Sequence, residues 1–269
     1  MSSRLVDQRR PIYWALAQFV SPFHRGQWQM RRLPDLTRIA VRLTHYQPEL
    51  GFIYHHNAKA ASTTTNALLR KLLDRYAATL SAPERGSFRG LLSGPAHWES
   101  IVPVLNAPSV YRFSFVRHPV SRAVSTFNNF FVEAQNAYTK RHRFTRRSSG
   151  LKMYDASADN FERFLDFSEE VIAEDPALCD LHIRTQTRNL LVEHLPFRRI
   201  GKMETWKDDM QAVLRDVGLY HMLRDDDWSA RENASVSGNR LRRPTDKQIE
   251  RIGRIYSDDF STFGYQLAY

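Results

Sequence analysis

Three times along the chain, a short run of apolar and aromatic residues gives way to a polar turn and then to apolar positions at helical spacing. The first run covers residues 50–56; beyond its turn, Leu68, Leu69, Leu72, Leu73 and Tyr76 recur three and four apart. The second covers 110–116 and leads into Val120, Ala123, Val124 and Phe127. The third covers 197–203 and is followed by Trp206, Met210, Val213, Leu214 and Val217. Strand–turn–helix units in series predict an α/β fold around a central, mainly parallel sheet flanked by helices. Ligands of such sheets sit beyond the carboxyl ends of the strands, so chemistry is expected in the turns after each run.

Outside these units the pattern is weaker. Residues 1–46 read as a basic, irregular extension with a short amphipathic helix around 12–19, and residues 47–269 as a single domain. A final helix is expected at about 245–258, running into Phe260, Phe263 and Tyr265, which should pack on the sheet edge. A basic run with Lys140, Arg141, Arg143, Arg146 and Arg147 reads either as a surface loop that holds an acceptor or as a solvated charge run.

Charge narrows the range of partners. Lys and Arg number 39 against 29 Asp and Glu, a net charge of +10, which favours anionic ligands. One cysteine, Cys179, excludes an intramolecular disulfide and leaves too few thiols for a zinc site built on cysteine. No zincin-type or clustered Cys/His pattern appears, so no metal is expected. No zinc-finger spacing or interleaved aromatic and basic motif points to nucleic acid. No stretch approaches about 18 uninterrupted apolar residues, so no membrane span is expected and the chain reads as cytoplasmic.

The first turn offers Lys59, the small Ala60 and Ala61, and the hydroxyls of Ser62, Thr63 and Thr64 at a predicted helix start. Amides at a helix N-terminus bind phosphate-like anions, and small side chains permit close approach. The same Ser and Thr residues would also suit an ordinary capped helix. Walker A spacing is absent, because Lys59 precedes the hydroxyls and no glycine is present. The second turn places Arg117 at a strand end and Ser125 two helical turns on, as a phosphate clamp or as a surface arginine beside a helix-interior serine.

Taken together, these turns resemble the PAPS-dependent sulfotransferases, particularly the Golgi-type carbohydrate enzymes and their bacterial relatives. HNAKAAST at 56–63 resembles their 5′-phosphosulfate loop, with Ala58 for the usual proline and Ala60-Ala61 for the glycine pair. FVRHPVSRAVS at 115–125 is similar to their 3′-phosphate motif FVRxPxxRxxS. HIRTQ at 182–186, IGKME at 200–204 and the YSDDF…FGY tail at 256–265 resemble three further elements in the same order.

The resemblance implies a P-loop-like three-layer fold. It also implies transfer of a sulfuryl group from PAPS to an acceptor hydroxyl, on a carbohydrate or another anionic metabolite, with the 3′,5′-bisphosphate as product. It assigns Lys59, Ala60, Ala61, Ser62, Thr63, Thr64, Arg117 and Ser125 to the donor. The acceptor hydroxyl needs a base; a histidine suits neutral pH, and His97 and His182 are the candidates, with Glu204 as the carboxylate alternative. His56 and His118 are expected to shape their turns. Two other functions remain open on the residues alone: a P-loop kinase-type phosphotransferase, and a non-catalytic binder of anionic polymers.

Overall fold

The structure is a computed structural model and describes residues 19, 21–133, 150–175, 179–228 and 240–268. The expected helix at 12–19 and the basic run at 139–147 lie outside these residues, apart from Phe19.

In chain order the elements are α1 (Pro22–Gln29), α2 (Asp35–Leu43), β1 (Thr44–Gln47), β2 (Phe52–His55), α3 (Ser62–Thr79), α4 (Ala82–Ser87) and β3 (Leu92–Ser93). There follow α5 (Trp98–Ile101), β4 (Tyr111–Val116), α6 (Pro119–Phe127), α7 (Ala158–Glu174) and α8 (Gln186–Leu190). The order ends with β5 (Arg199–Lys202), α9 (Trp206–Asp216), α10 (Asp246–Ile255) and α11 (Ser257–Phe263). All three expected strands form, as β2, β4 and β5.

The chain divides into two compact units, one within residues 9–116 and 189–234, the other within 117–188 and 235–269. The first holds a five-stranded sheet of order β3-β1-β2-β4-β5. The ladders β2–β4 and β4–β5 are parallel, whereas β1 runs antiparallel to both β2 and β3. The expectation of a mainly parallel sheet is therefore corrected: the sheet is mixed. A tight turn at 48–51, with Gly51 at φ +65°, returns β1 directly onto β2, and such a hairpin can only pair antiparallel. Residues 22–47, read as irregular, form α1, α2 and β1 instead. Phe52, Tyr54, Phe113 and Phe115 pack with Leu68, Leu69, Leu72 and Leu73 of α3 and with Met210, Val213 and Leu214 of α9. Each such side chain contributes roughly 1.5–3 kcal/mol on full burial.

The second unit is helical. Phe127, Phe130 and Phe131, from the end of α6 and the π-turn Asn128–Val132, meet Phe161, Phe164 and Phe167 of α7. Rings of Phe127 and Phe161 stand edge to face at 5.1 Å, a favoured aromatic geometry. Thr245 and Gln248 form a reciprocal capping box at the start of α10. The tail is helical, as α11, and Phe260 and Tyr265 pack on the ring of His118.

Candidate active site

β2 ends at His55 and the chain turns through 56–61 into α3. This turn is strained. Lys59 (φ +64°) and Ala61 (φ +58°) both adopt the left-handed conformation, in which a Cβ costs roughly 1–2 kcal/mol per residue. Ala58 and Ala60, before and between them, are buried. Ala61 is the N-cap of α3, and no side chain caps the helix. The ordinary capped helix is thereby excluded: Ser62, Thr63 and Thr64 lie inside the first turn instead of at its cap. The first amides of α3, the small residues and the half-buried Lys59 are arranged around one helix start.

A buried polar network underlies the turn. Asn57 Nδ2 donates to the Phe115 carbonyl at the end of β4 (3.0 Å), and Asn189 Nδ2 donates to Asn57 Oδ1 (3.3 Å). His55, fully enclosed, pairs through Nε2 with the Asn189 carbonyl (3.2 Å), and Ser114 Oγ donates to the His55 carbonyl (2.6 Å). Burial first of all, and then the nearby Arg112, His56 and His45, pull the His55 pKa down to about 3, against the opposing pull of the Asn189 carbonyl. His55 therefore sits neutral beneath the turn.

In the same unit His97 closes the 3₁₀ turn Gly94–His97 after β3 and is exposed. Its Nδ1 lies 3.2 Å from both the Ser93 amide and the Ser93 carbonyl. Ser93 Oγ is 2.8 Å from Nδ1 of His45, whose pKa falls to about 3 through burial and then through His56 and Arg70. The His97 turn is pinned by α1. Gly26 of α1 abuts the Pro95 carbonyl so closely that a Cβ there would stand 1.7 Å from it, and Trp98 Nε1 donates to Gln29 Oε1 (3.1 Å).

In the helical unit, Arg117 follows β4 and His118 caps α6. His118 Nδ1 accepts from the Val120 amide (3.3 Å) and Nε2 donates to the Gln266 carbonyl (2.9 Å), so both ring nitrogens shape the turn. Arg117 and Ser125 are half-buried, the latter in α6. His182 is half-buried: its Nδ1 meets Asp180 Oδ1 at 2.8 Å, and its ring stands edge to face on Phe130 at 4.8 Å. Lys59 and His97 thus belong to the sheet unit, and Arg117, Ser125 and His182 to the helical one.

A family model described as "Sulfotransferase family" matches residues 43–266. The chain belongs to the sulfotransferase family. Among curated relatives, this sulfotransferase is 26% identical over 179 residues to Carbohydrate sulfotransferase 10 of Xenopus laevis, covering 59% of this chain and 48% of that protein. It is 25% identical over 268 residues to Carbohydrate sulfotransferase 11 of Danio rerio, covering 91% of this chain and 72% of that one. The chain thus spans about half the length of the first relative. No solved structure matches it. Among the described residues, no helix of the sulfotransferase is long and apolar enough to cross a membrane.

Several residues that build the site escaped sequence reasoning. Asn57 and Asn189 lie 132 positions apart, and nothing local marks either as a partner. Arg122, Gln186 and Asp259 fall inside the motifs at 115–125, 182–186 and 256–260, so their signal was present. Motif resemblance marks a position without saying what its side chain touches.

Proposed function

We propose that this sulfotransferase moves a sulfuryl group from PAPS to a hydroxyl of a carbohydrate acceptor, through a P-loop-like catalytic domain at 47–269. The observation that carries the reading is the left-handed turn at Lys59 and Ala61, which opens α3 with no side-chain cap. Strain of this kind persists where the surroundings enforce it, and such sites cluster at ligand-binding turns. The donor set suits an anion: a lysine, helix-start amides, and the hydroxyls of Ser62, Thr63 and Thr64. Ala60 and Ala61 bring no long side chain to the helix start. Arg117 and Ser125 take the 3′-phosphate.

Bound PAPS would supply the activated sulfuryl group and leave as the 3′,5′-bisphosphate. Lys59 and the α3 amides stabilise the negative charge that gathers on the departing oxygen. The proton of the acceptor hydroxyl passes to His97. Nδ1 can donate to the Ser93 carbonyl or accept from the Ser93 N–H, and in the first of these tautomers Nε2 is the base. His182, with Nδ1 paired to Asp180 and its ring against Phe130, is the second candidate for the base. The two relatives named for carbohydrate sulfation support a saccharide acceptor, and the net charge of +10 favours one that carries negative charge.

Calorimetry tests the donor assignment. The 3′,5′-bisphosphate should bind at least about tenfold more tightly than 5′-AMP, since each charge-assisted hydrogen bond contributes about 1.5–3 kcal/mol. Arg117→Ala should remove most of that gap. Equal affinity of the wild type for both nucleotides would overturn the reading, as would turnover that requires ATP with Mg²⁺ in place of PAPS. Labelled PAPS with a panel of neutral and acidic saccharides then identifies the acceptor.

A further inference from the structure

Where β4 ends, sheet pairing ends with it: Val116 is the last residue of β4 in register with β5, opposite Lys202. The next residue, Arg117, has its main chain held by a side chain instead. Its N–H donates to Gln186 Oε1 (2.9 Å) and its carbonyl accepts from Gln186 Nε2 (2.8 Å). A primary amide carries one acceptor and two donors on a single plane, so it can mimic a neighbouring strand for one residue. Gln186 is fully buried, and leaving either half of this pair unmade would cost the desolvation of a buried polar group.

Gln186 is itself held from behind. Its own N–H donates to Asp259 Oδ2 (2.9 Å), and the Thr187 N–H donates to Asp259 Oδ1 (2.9 Å), where the Thr187 hydroxyl adds a third bond (3.3 Å). Asp259 has no exposure to solvent. Burial pushes its carboxyl above the ordinary range, and the charge of Arg122, together with these hydrogen bonds, opposes that. Arg122, also buried, donates to the Leu181 carbonyl (2.8 Å), and Thr126, one turn on in α6, donates to the His182 carbonyl (3.2 Å). The glutamine of HIRTQ, held by the second aspartate of YSDDF, thus holds the first arginine of FVRHPVSRAVS. What it sets is the main-chain position of residue 117.

We propose that Gln186, braced by Asp259, is the positioning residue that sets the main chain at Arg117 and so aims the guanidinium that selects a 3′-phosphorylated nucleotide. The proposal rests on the assignment of Arg117 to the 3′-phosphate. It assigns selectivity to two buried residues, Gln186 and Asp259, that need not touch the nucleotide.

The test is the ratio of affinities for the 3′,5′-bisphosphate and 5′-AMP, measured by calorimetry on the full chain. Gln186→Met keeps length and removes both bonds to Arg117. The ratio should fall about tenfold or more, as expected for loss of one charge-assisted contact, with 5′-AMP affinity within about twofold of wild type. A general loss of structure would instead weaken both nucleotides together. Gln186→Glu keeps the shape and the acceptor but turns the donor toward the Arg117 carbonyl into an anion; when protonated, its O–H restores a donor. Its ratio, divided by that of the wild type at each pH, should therefore be low at pH 8 and recover as the pH falls. The titratable groups around it, Asp259 and those that act on Arg122 (Tyr256, Asp180 and Cys179), are present in both proteins, so the quotient reads only what the substitution changes. A folded Gln186→Met variant with an unchanged ratio overturns the proposal. If that variant does not fold, a pH-independent quotient for Gln186→Glu overturns it. A wild type that does not discriminate between the nucleotides overturns the Arg117 assignment first, which separates the two failures.

Discussion

Neutral His55 beneath the Lys59 turn makes stability fall with acid in a calculable way. Its pKa is about 3 in the folded protein, and an unfolded histidine has about 6.5. Between those values the unfolded chain binds the extra proton. Folding stability from this group is therefore complete above about pH 6.5 and is lost as the pH falls toward 3. One proton corresponds to a slope of up to about 1.4 kcal/mol per pH unit. From pH 6 to 4.5 His55 alone should remove about 2 kcal/mol. His55→Gln deletes the titration and retains an amide donor for the Asn189 carbonyl. Urea unfolding of both proteins, followed by circular dichroism at half-unit steps from pH 7.5 to 4.5, gives the difference in stability directly. Carboxylates titrate alike in the two chains and drop out. The variant should be the less stable at pH 7, and the gap should narrow by about 2 kcal/mol by pH 4.5. Parallel stability curves would falsify a buried neutral His55, and with it the network that joins His55, Asn189 and Asn57.

Three further outcomes are expected. Lys59→Ala should lower turnover about 10²–10³-fold, as for loss of one preorganised donor, and near-normal turnover in a folded variant removes Lys59 from the chemistry. Ala61→Gly should leave stability unchanged or raise it by up to about 1 kcal/mol, because glycine occupies the left-handed region without a Cβ penalty; a loss of that size in thermal unfolding would show that residue 61 is not left-handed. Gly26→Ala forces a Cβ onto the Pro95 carbonyl and should cost about 1–3 kcal/mol, with lowered turnover because the His97 turn moves; an unchanged melting temperature contradicts that packing.

Three strands and the helices after them were legible from the chain because their signals are local. Apolar residues at period two or at helical spacing mark a buried face wherever the element finally packs. The candidate motifs were legible for the same reason, since Lys59 and Arg117 lie within a few residues of a strand end and Ser125 lies in the helix that follows. β1 was not legible. Its four residues, Thr44–Gln47, carry no alternation of apolar and polar positions, and they become a strand through pairing with β2 and β3 on either side. That pairing turned a parallel expectation into a mixed sheet.

The left-handed turn, too, was decided in three dimensions. The hydroxyls of Ser62, Thr63 and Thr64 also suited an ordinary capped helix, whereas the turn before them is left-handed at Lys59 and Ala61 and tied down through Asn57 and Asn189. Sequence by itself determined which residues carry charge and hydroxyls and which segments bury a face. The tertiary structure decided where their backbones point, because the bonds that aim them join positions such as Gln186 and Asp259, 73 residues apart, whose pairing no local pattern encodes.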